Sequence, residues 1–218
     1  MPRPKRTLMR YKQPQITSII TGQISQINTQ SPAGPALHFY HRAMDLRRQY
    51  PDVSLFLASD ACIEMLYATL LSWDMNSRRA KMKDYSDFKS NLQGNAAGFT
   101  TVAAAAASFT WANRAPVIQS FSTLFDTLEL MKTNEKVVSN SKCMHFVFPD
   151  LCVPVDNSTF EKLYGTNSKD KDRFLEVLDF SYDILAGIQN PQQYLDPPQN
   201  LKWNTCVTKL VDNAIILL

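Results

Sequence analysis

Apolar residues recur at three- and four-residue steps along nearly the whole chain, and that period commits it to helices packed on a common core. In ALHFYHRAMDLRRQY the steps run through Leu37, Tyr40, Ala43, Met44 and Leu46, with Pro35 suited to a first helical turn. Ahead of it, PQITSIITGQISQINTQ sets Ile16, Ile19, Ile20, Ile24 and Ile27 on one face, with Gly22 as a weak point. SDACIEMLYATLLSWDM opens on a Ser59 or Asp60 cap and is apolar almost all round, which predicts the central helix. Further helices are expected in DYSDFKSNLQ, ending at Gly94, in an alanine-rich piece near 101–113, and in APVIQSFSTLFDTLELMK. Ser141–Val147, KDRFLEVLDFSYDILAGI and NTCVTKLVDNAIILL complete the set. The last is expected to fold back on the core, because an exposed Ala-Ile-Ile-Leu-Leu end suits water poorly. Short runs such as VFPDLCVPV are ambiguous, and Pro149 and Pro154 count against a strand there.

The expected fold class is therefore mainly α, with no sheet of more than two short strands. Leu66, Leu70, Leu71, Phe125, Leu128, Phe146, Leu178 and Leu185 are its expected core. One domain over 14–218 follows a basic arm at 1–13, and two helical lobes, 14–115 and 116–218, are the alternative. No apolar run reaches the ~18 residues of a membrane span, and the opening MPRPKRTLMRYKQ has no signal-like apolar core, so a soluble, cytoplasmic protein is expected. Cys62, Cys143, Cys152 and Cys206 lack the close pairing of zinc sites and are expected as reduced, buried thiols.

The net charge of +3 is unevenly spread. Five of the 23 basic residues stand in 1–12 without an acid, leaving 18 basic against 20 acidic groups, net −2, for residues 13–218. Such an arm suits phosphate contact through counterion release, and equally a solvated, disordered terminus. A second basic cluster, WDMNSRRAKMKDYSDFK, carries Arg78, Arg79, Lys81 and Lys83 between Trp73 and Tyr85, a mixture that can bind phosphate and stack bases. Asp74, Asp84 and Asp87 offset that field, so a solvated inter-helix loop is the competing reading. His38 and His41 stand three apart without an HExxH pattern, and His145 lies in an apolar run, so no metal site is expected. Walker, GxGxxG and GxSxG patterns are absent, which argues against the common nucleotide-dependent and serine-hydrolase classes, and no cofactor is expected.

SKCMHFVFPDLCVPVDNSTFEKLYG, residues 141–165, joins a helix with Ser139 or Ser141 as its cap to a second helix headed by Asp156. A helix, a turn, a helix led by serine and lysine, then Pro154-Val155-Asp156 before a further helix resembles the helix-hairpin-helix DNA glycosylases over about residues 120–165. The resemblance implies that the turn around Ser139, Asn140 and Ser141 grips a DNA phosphate, that Lys142 is the lysine able to attack a sugar carbon, and that Asp156 is the essential aspartate. Two departures stand beside it. VVSNSK has no glycine for the hairpin, and Lys142 lies about one helical turn, ~5 Å, nearer to Asp156 than the family pattern sets it. SWDMNSR and VTKLVDNAI are similar to segments of prokaryotic helical proteins, a likeness that implies no activity. Asp156 is equally explained as a plain helix cap. The first expectation is a non-enzymatic module binding DNA or a protein partner through residues 78–83, and the second a glycosylase-like enzyme acting on a damaged base.

Overall fold

Proline and aspartate mark where the helices begin. Proline occupies the first turn at α1 (Gln13–Gly22), α3 (Pro35–Gln49) and α8 (Ala115–Thr127), where its missing N–H costs nothing. Aspartate caps four others: Asp52 for α4 (Val53–Ala58), Asp84 for α6 (Tyr85–Gly94), Asp156 for α10 (Asn157–Tyr164) and Asp170 for α11 (Lys171–Ala186). Ser59 caps α5 (Asp60–Ser72), its hydroxyl accepting from Cys62 N. The remaining helices are α2 (Ile27–Gln30), α7 (Ala96–Ala106), α9 (Val137–Val147) and α12 (Val207–Leu217), with single 3₁₀ turns at Ile24–Gln26 and Pro191–Tyr194. The structure, a computed structural model, describes residues 9–31, 34–73, 81–166 and 169–218. Among these residues there is no strand, and one antiparallel bridge pairs Met82 with Met131. No helix in them is long and apolar enough to cross a membrane.

The break expected at Gly22 is present, since α1 ends there and the chain re-forms as a 3₁₀ turn and α2. Ile16, Ile20, Ile24 and Ile27 are buried, and Ile19 is half-buried. The alanine-rich helix starts earlier than expected, at Ala96, and α4 went unmarked because six residues are too few to display a period. The central position belongs to α12 and not to α5. Every residue from Val207 to Ile215 is buried, whereas α5 exposes Asp60, Ala61 and Glu64. Around α12 pack α1, α2, α10 and α11, while α3 lies along α5 and α7 along α8.

Helices on both sides of residue 115 share one continuous apolar core, and α1 packs on α11 and α12 across that boundary. Seven of the eight expected core residues are buried, with Leu71 half-buried. The end of the expected arm is docked: Met9 and Tyr11 pack on the core, and Arg10 N donates to Leu163 O at 2.7 Å. The Arg10 guanidinium lies over Gly165, which ends α10 in the left-handed region at φ 70° and whose missing Cβ leaves the room it occupies.

Candidate functional site

The segment between α9 and α10 is held from behind by buried polar side chains. Ser141 Oγ accepts from Val155 N at 3.2 Å and donates to Val138 O at 3.1 Å, so the Pro154-Val155-Asp156 strip is tied to α9 one residue before Lys142. Cys152 O accepts from His145 Nδ1 at 2.8 Å, and Tyr40 OH lies 3.0 Å from His145 Nε2. Burial pushes the His145 imidazole down to about 3, with the Cys152 carbonyl opposing and the Lys209 charge adding to the shift, so the ring is neutral. Asp156 then caps α10: its Oδ1 accepts from Thr159 N at 3.0 Å and Ser158 Oγ at 2.7 Å, while Asp156 N donates to Thr159 Oγ1 at 3.1 Å.

Lys142 and Asp156 open onto one cavity of about 230 Å³. Its walls are Trp73 at the end of α5, Trp203 ahead of α12, and Lys209, Asp212 and Asn213 on α12 itself. The two indoles stand 6.5 Å apart at 44°, and Tyr40 backs both, at 5.3 Å from Trp73 and 6.1 Å from Trp203. Trp203 is fixed at both ends, its Nε1 donating to Ser31 O at 2.8 Å and its backbone N to Asn28 Oδ1 at 2.9 Å. Lys142 Nζ lies 5.1 Å from the Trp73 ring centre. Lys209 Nζ sits 5.6 Å from Trp73 and 5.3 Å from Trp203, within cation–π range of both faces.

Two ammonium groups and two carboxylates thus face each other, and their environments differ. Lys209 is paired directly with Asp212, both nearly enclosed. Burial pushes the Asp212 carboxyl up; the Lys209 ammonium opposes the shift and the nearby Asp156 charge adds to it. Burial also acts upward on Asp156, but the Ser158 hydrogen bond, the Lys142 charge and the Thr159 N–H together outweigh it and hold the group below its ordinary range. The Trp73 Nε1 and Asn213 Oδ1 atoms are buried with no hydrogen-bond partner among the described residues.

Of the residues singled out from sequence, the cavity brings together Lys142 and Asp156. Ser139, Asn140 and Ser141 are placed otherwise than expected. They lie inside α9, which begins at Val137 behind Lys136, and all three are buried. Their side chains are spent on carbonyls: Ser139 on Lys136, Asn140 on Phe125 and Leu128, Ser141 on Val138. None of the three caps the helix or presents itself to a phosphate. Residues 128–136, which join α8 to α9, are laced to 81–83 through Lys83 N to Leu130 O at 3.0 Å and Lys132 N to Lys81 O at 2.8 Å. That connection takes the place of a tight hairpin.

Arg78 and Arg79 lie outside the described residues. Lys81 is exposed, and Lys83 pairs with Glu129 at 3.9 Å. His41 Nε2 lies 2.7 Å from Lys202 O, the four cysteines are free and buried, and among the described residues no cluster of metal-ligating side chains occurs. The sequence reading missed Trp203, Lys209, Asp212 and Asn213. The available signal was a lysine, an aspartate and an asparagine within the otherwise apolar VTKLVDNAIILL, since polar side chains buried on a core helix need partners or a purpose. No family model matches the chain, and neither curated proteins nor solved structures give a match.

Proposed function

We propose that the protein removes a base from DNA, the cavity receiving one extruded nucleobase while Asp156 and Lys142 work at the sugar. The observation that carries this is the meeting of Lys142 and Asp156, two residues the glycosylase resemblance names, on one cavity walled by two indoles. A space of about 230 Å³ is below the ~300–1,000 Å³ usual for larger ligands and suits a single heterocycle lying against aromatic walls.

In the reaction the sugar–base C–N bond breaks with its electron pair leaving on the base, which takes up a proton. Positive charge develops on the sugar carbon. A carboxylate held ionised, as Asp156 is, stabilises that charge best where water is scarce. The carbon is then captured by water, which releases a proton in place of the one the base took, or by Lys142 once its ammonium has given that proton to the departing base and become a neutral amine. No cofactor enters this scheme.

Incubation with duplexes bearing deaminated, oxidised and alkylated bases tests the proposal by release of free base. Asp156→Asn keeps a capping oxygen but loses the charge, so it is expected to retain the melting temperature and lose at least ~100-fold in rate. Asp156→Ala is expected to lose ~1 kcal/mol of stability as well. If the unsubstituted protein releases no base from any of these duplexes, the enzymatic reading fails, and a non-enzymatic DNA- or protein-binding module is what remains.

A further inference from the structure

A second and larger recess shares no wall residue with the cavity of Lys142 and Asp156. It holds about 640 Å³, inside the ~300–1,000 Å³ usual for small-molecule sites. Parts of α3, α4 and α7 line it, with the turn after α9 and residues 205–206 ahead of α12, and buried Met44, Val53, Val147 and Phe148 make its wall apolar. Most of its polar groups are already committed. Arg48 pairs with Asp45, Asp52 Oδ1 caps α4, and the Ser54 and Thr100 hydroxyls lie 3.5 Å from each other. Thr205 Oγ1 lies 2.6 Å from Tyr40 OH, Cys206 is buried beside Tyr40 OH and Thr208, and Asp150 Oδ1 accepts from Val207 N at 3.4 Å. Arg47 differs. Its Nε donates to Val147 O at 2.7 Å, its Nη1 donates to Tyr50 O, and its guanidinium lies 5.6 Å from the centre of the Phe56 ring. These partners are all neutral, and the group forms no ion pair among the described residues. Burial pushes the guanidinium down, and the Asp52 and Cys62 charges oppose only part of that shift.

We infer that this recess binds a small organic anion, one carboxylate on an apolar body, with the carboxylate on Arg47 and the body against Phe148 and its apolar neighbours. A cation held in place by carbonyls and partly withdrawn from water gains from a charge that arrives with its ligand, and a guanidinium is the side chain whose geometry matches a carboxylate. Asp52 and Asp150 are exposed and keep their water, so neither has the same need of a counter-charge, whereas Arg47 is half-buried. Those two acids stand against Arg47 and Arg48 on the recess, which leaves no surplus of positive charge for a polyanion. The ligand is therefore limited to one negative charge, and nucleoside phosphates are excluded. None of this depends on the base-removal reading, since the two cavities have no residue in common.

The test is calorimetric titration of the full chain with octanoate, octanamide and octylammonium, each below the concentration at which it self-associates. Octanoate is expected to bind at least ~10-fold more tightly than either of the others. Arg47→Met is expected to remove that preference, and Arg47→Lys, which keeps the charge and loses the planar fork, to retain it at reduced affinity. Ala103→Phe, which fills the recess from α7, is expected to abolish octanoate binding with the melting temperature kept. Equal affinity for the three probes, a preference that survives Arg47→Met, octanoate binding that survives Ala103→Phe, or no saturable binding at millimolar concentration overturns the inference. Should Arg47→Met fail to fold, the Ala103→Phe result decides. Octanoate binding without base release from DNA leaves this inference standing and the glycosylase reading fallen, and base release without octanoate binding does the reverse.

Discussion

The Asp156 carboxylate is a helix cap and a cavity wall at once, and under the proposed function the two uses would not compete. The bonds that cap α10 end on Oδ1, and the same group faces the cavity under the influence of the Lys142 charge. His145 is the other residue whose state decides something, because it is buried neutral at the junction of Tyr40, Cys152 and Thr208. Its folded value, about 3, lies below the ordinary 6.5, so the unfolded chain takes up a proton that the folded one refuses. The stability it contributes is complete above 6.5 and is lost progressively as pH falls toward 3. Asp156, lowered from 3.8, adds its own loss only below that ordinary value, whereas the raised Asp212 carboxyl takes up a proton on folding above it and opposes the histidine, so the His145 share is the difference between the unsubstituted chain and His145→Gln between 6.5 and 4.5. Denaturant melts across that interval are expected to show unfolding free energy falling with acid, and His145→Gln to flatten the slope. An unchanged slope would mean that another group carries it. Lys142 and Asp156 could be found from sequence because a local pattern ties them together. Lys209, Asp212 and Asn213 could not, since they reach the same cavity only through the packing of α12 beside α10.

At the scale of the element, periodicity and capping residues located most helices. They failed where the information is not local. The burial of α12 depends on four neighbouring helices, and the course of α9 depends on Asn140 bonding Phe125 O and Leu128 O at 3.2 and 3.0 Å, which draws VVSNSK into the helix. The run 81–83 is likewise organised by a partner distant in sequence, residues 130–132. Reversing Arg78 and Arg79 to glutamate is expected to weaken duplex binding and lower the slope of log affinity against log salt by about 2. Affinity and slope both unchanged would take this segment out of the interface.

For the molecule as a whole, one core shared by helices from both halves implies one unfolding event. Calorimetry is expected to give a single transition with equal calorimetric and van't Hoff enthalpies, whereas two resolved transitions would restore separate lobes at 14–115 and 116–218. The seating of Arg10 over Gly165 has a further consequence. Any side chain at 165 would occupy the volume of the guanidinium, and the left-handed backbone there disfavours most replacements in any case. The seat of the Arg10 guanidinium is therefore a missing methyl group more than a hundred and fifty positions away, and one exchange at that distant glycine would unseat the guanidinium without altering a single residue of the strap, leaving Met9, Tyr11 and the Arg10 N–Leu163 O bond to hold the segment.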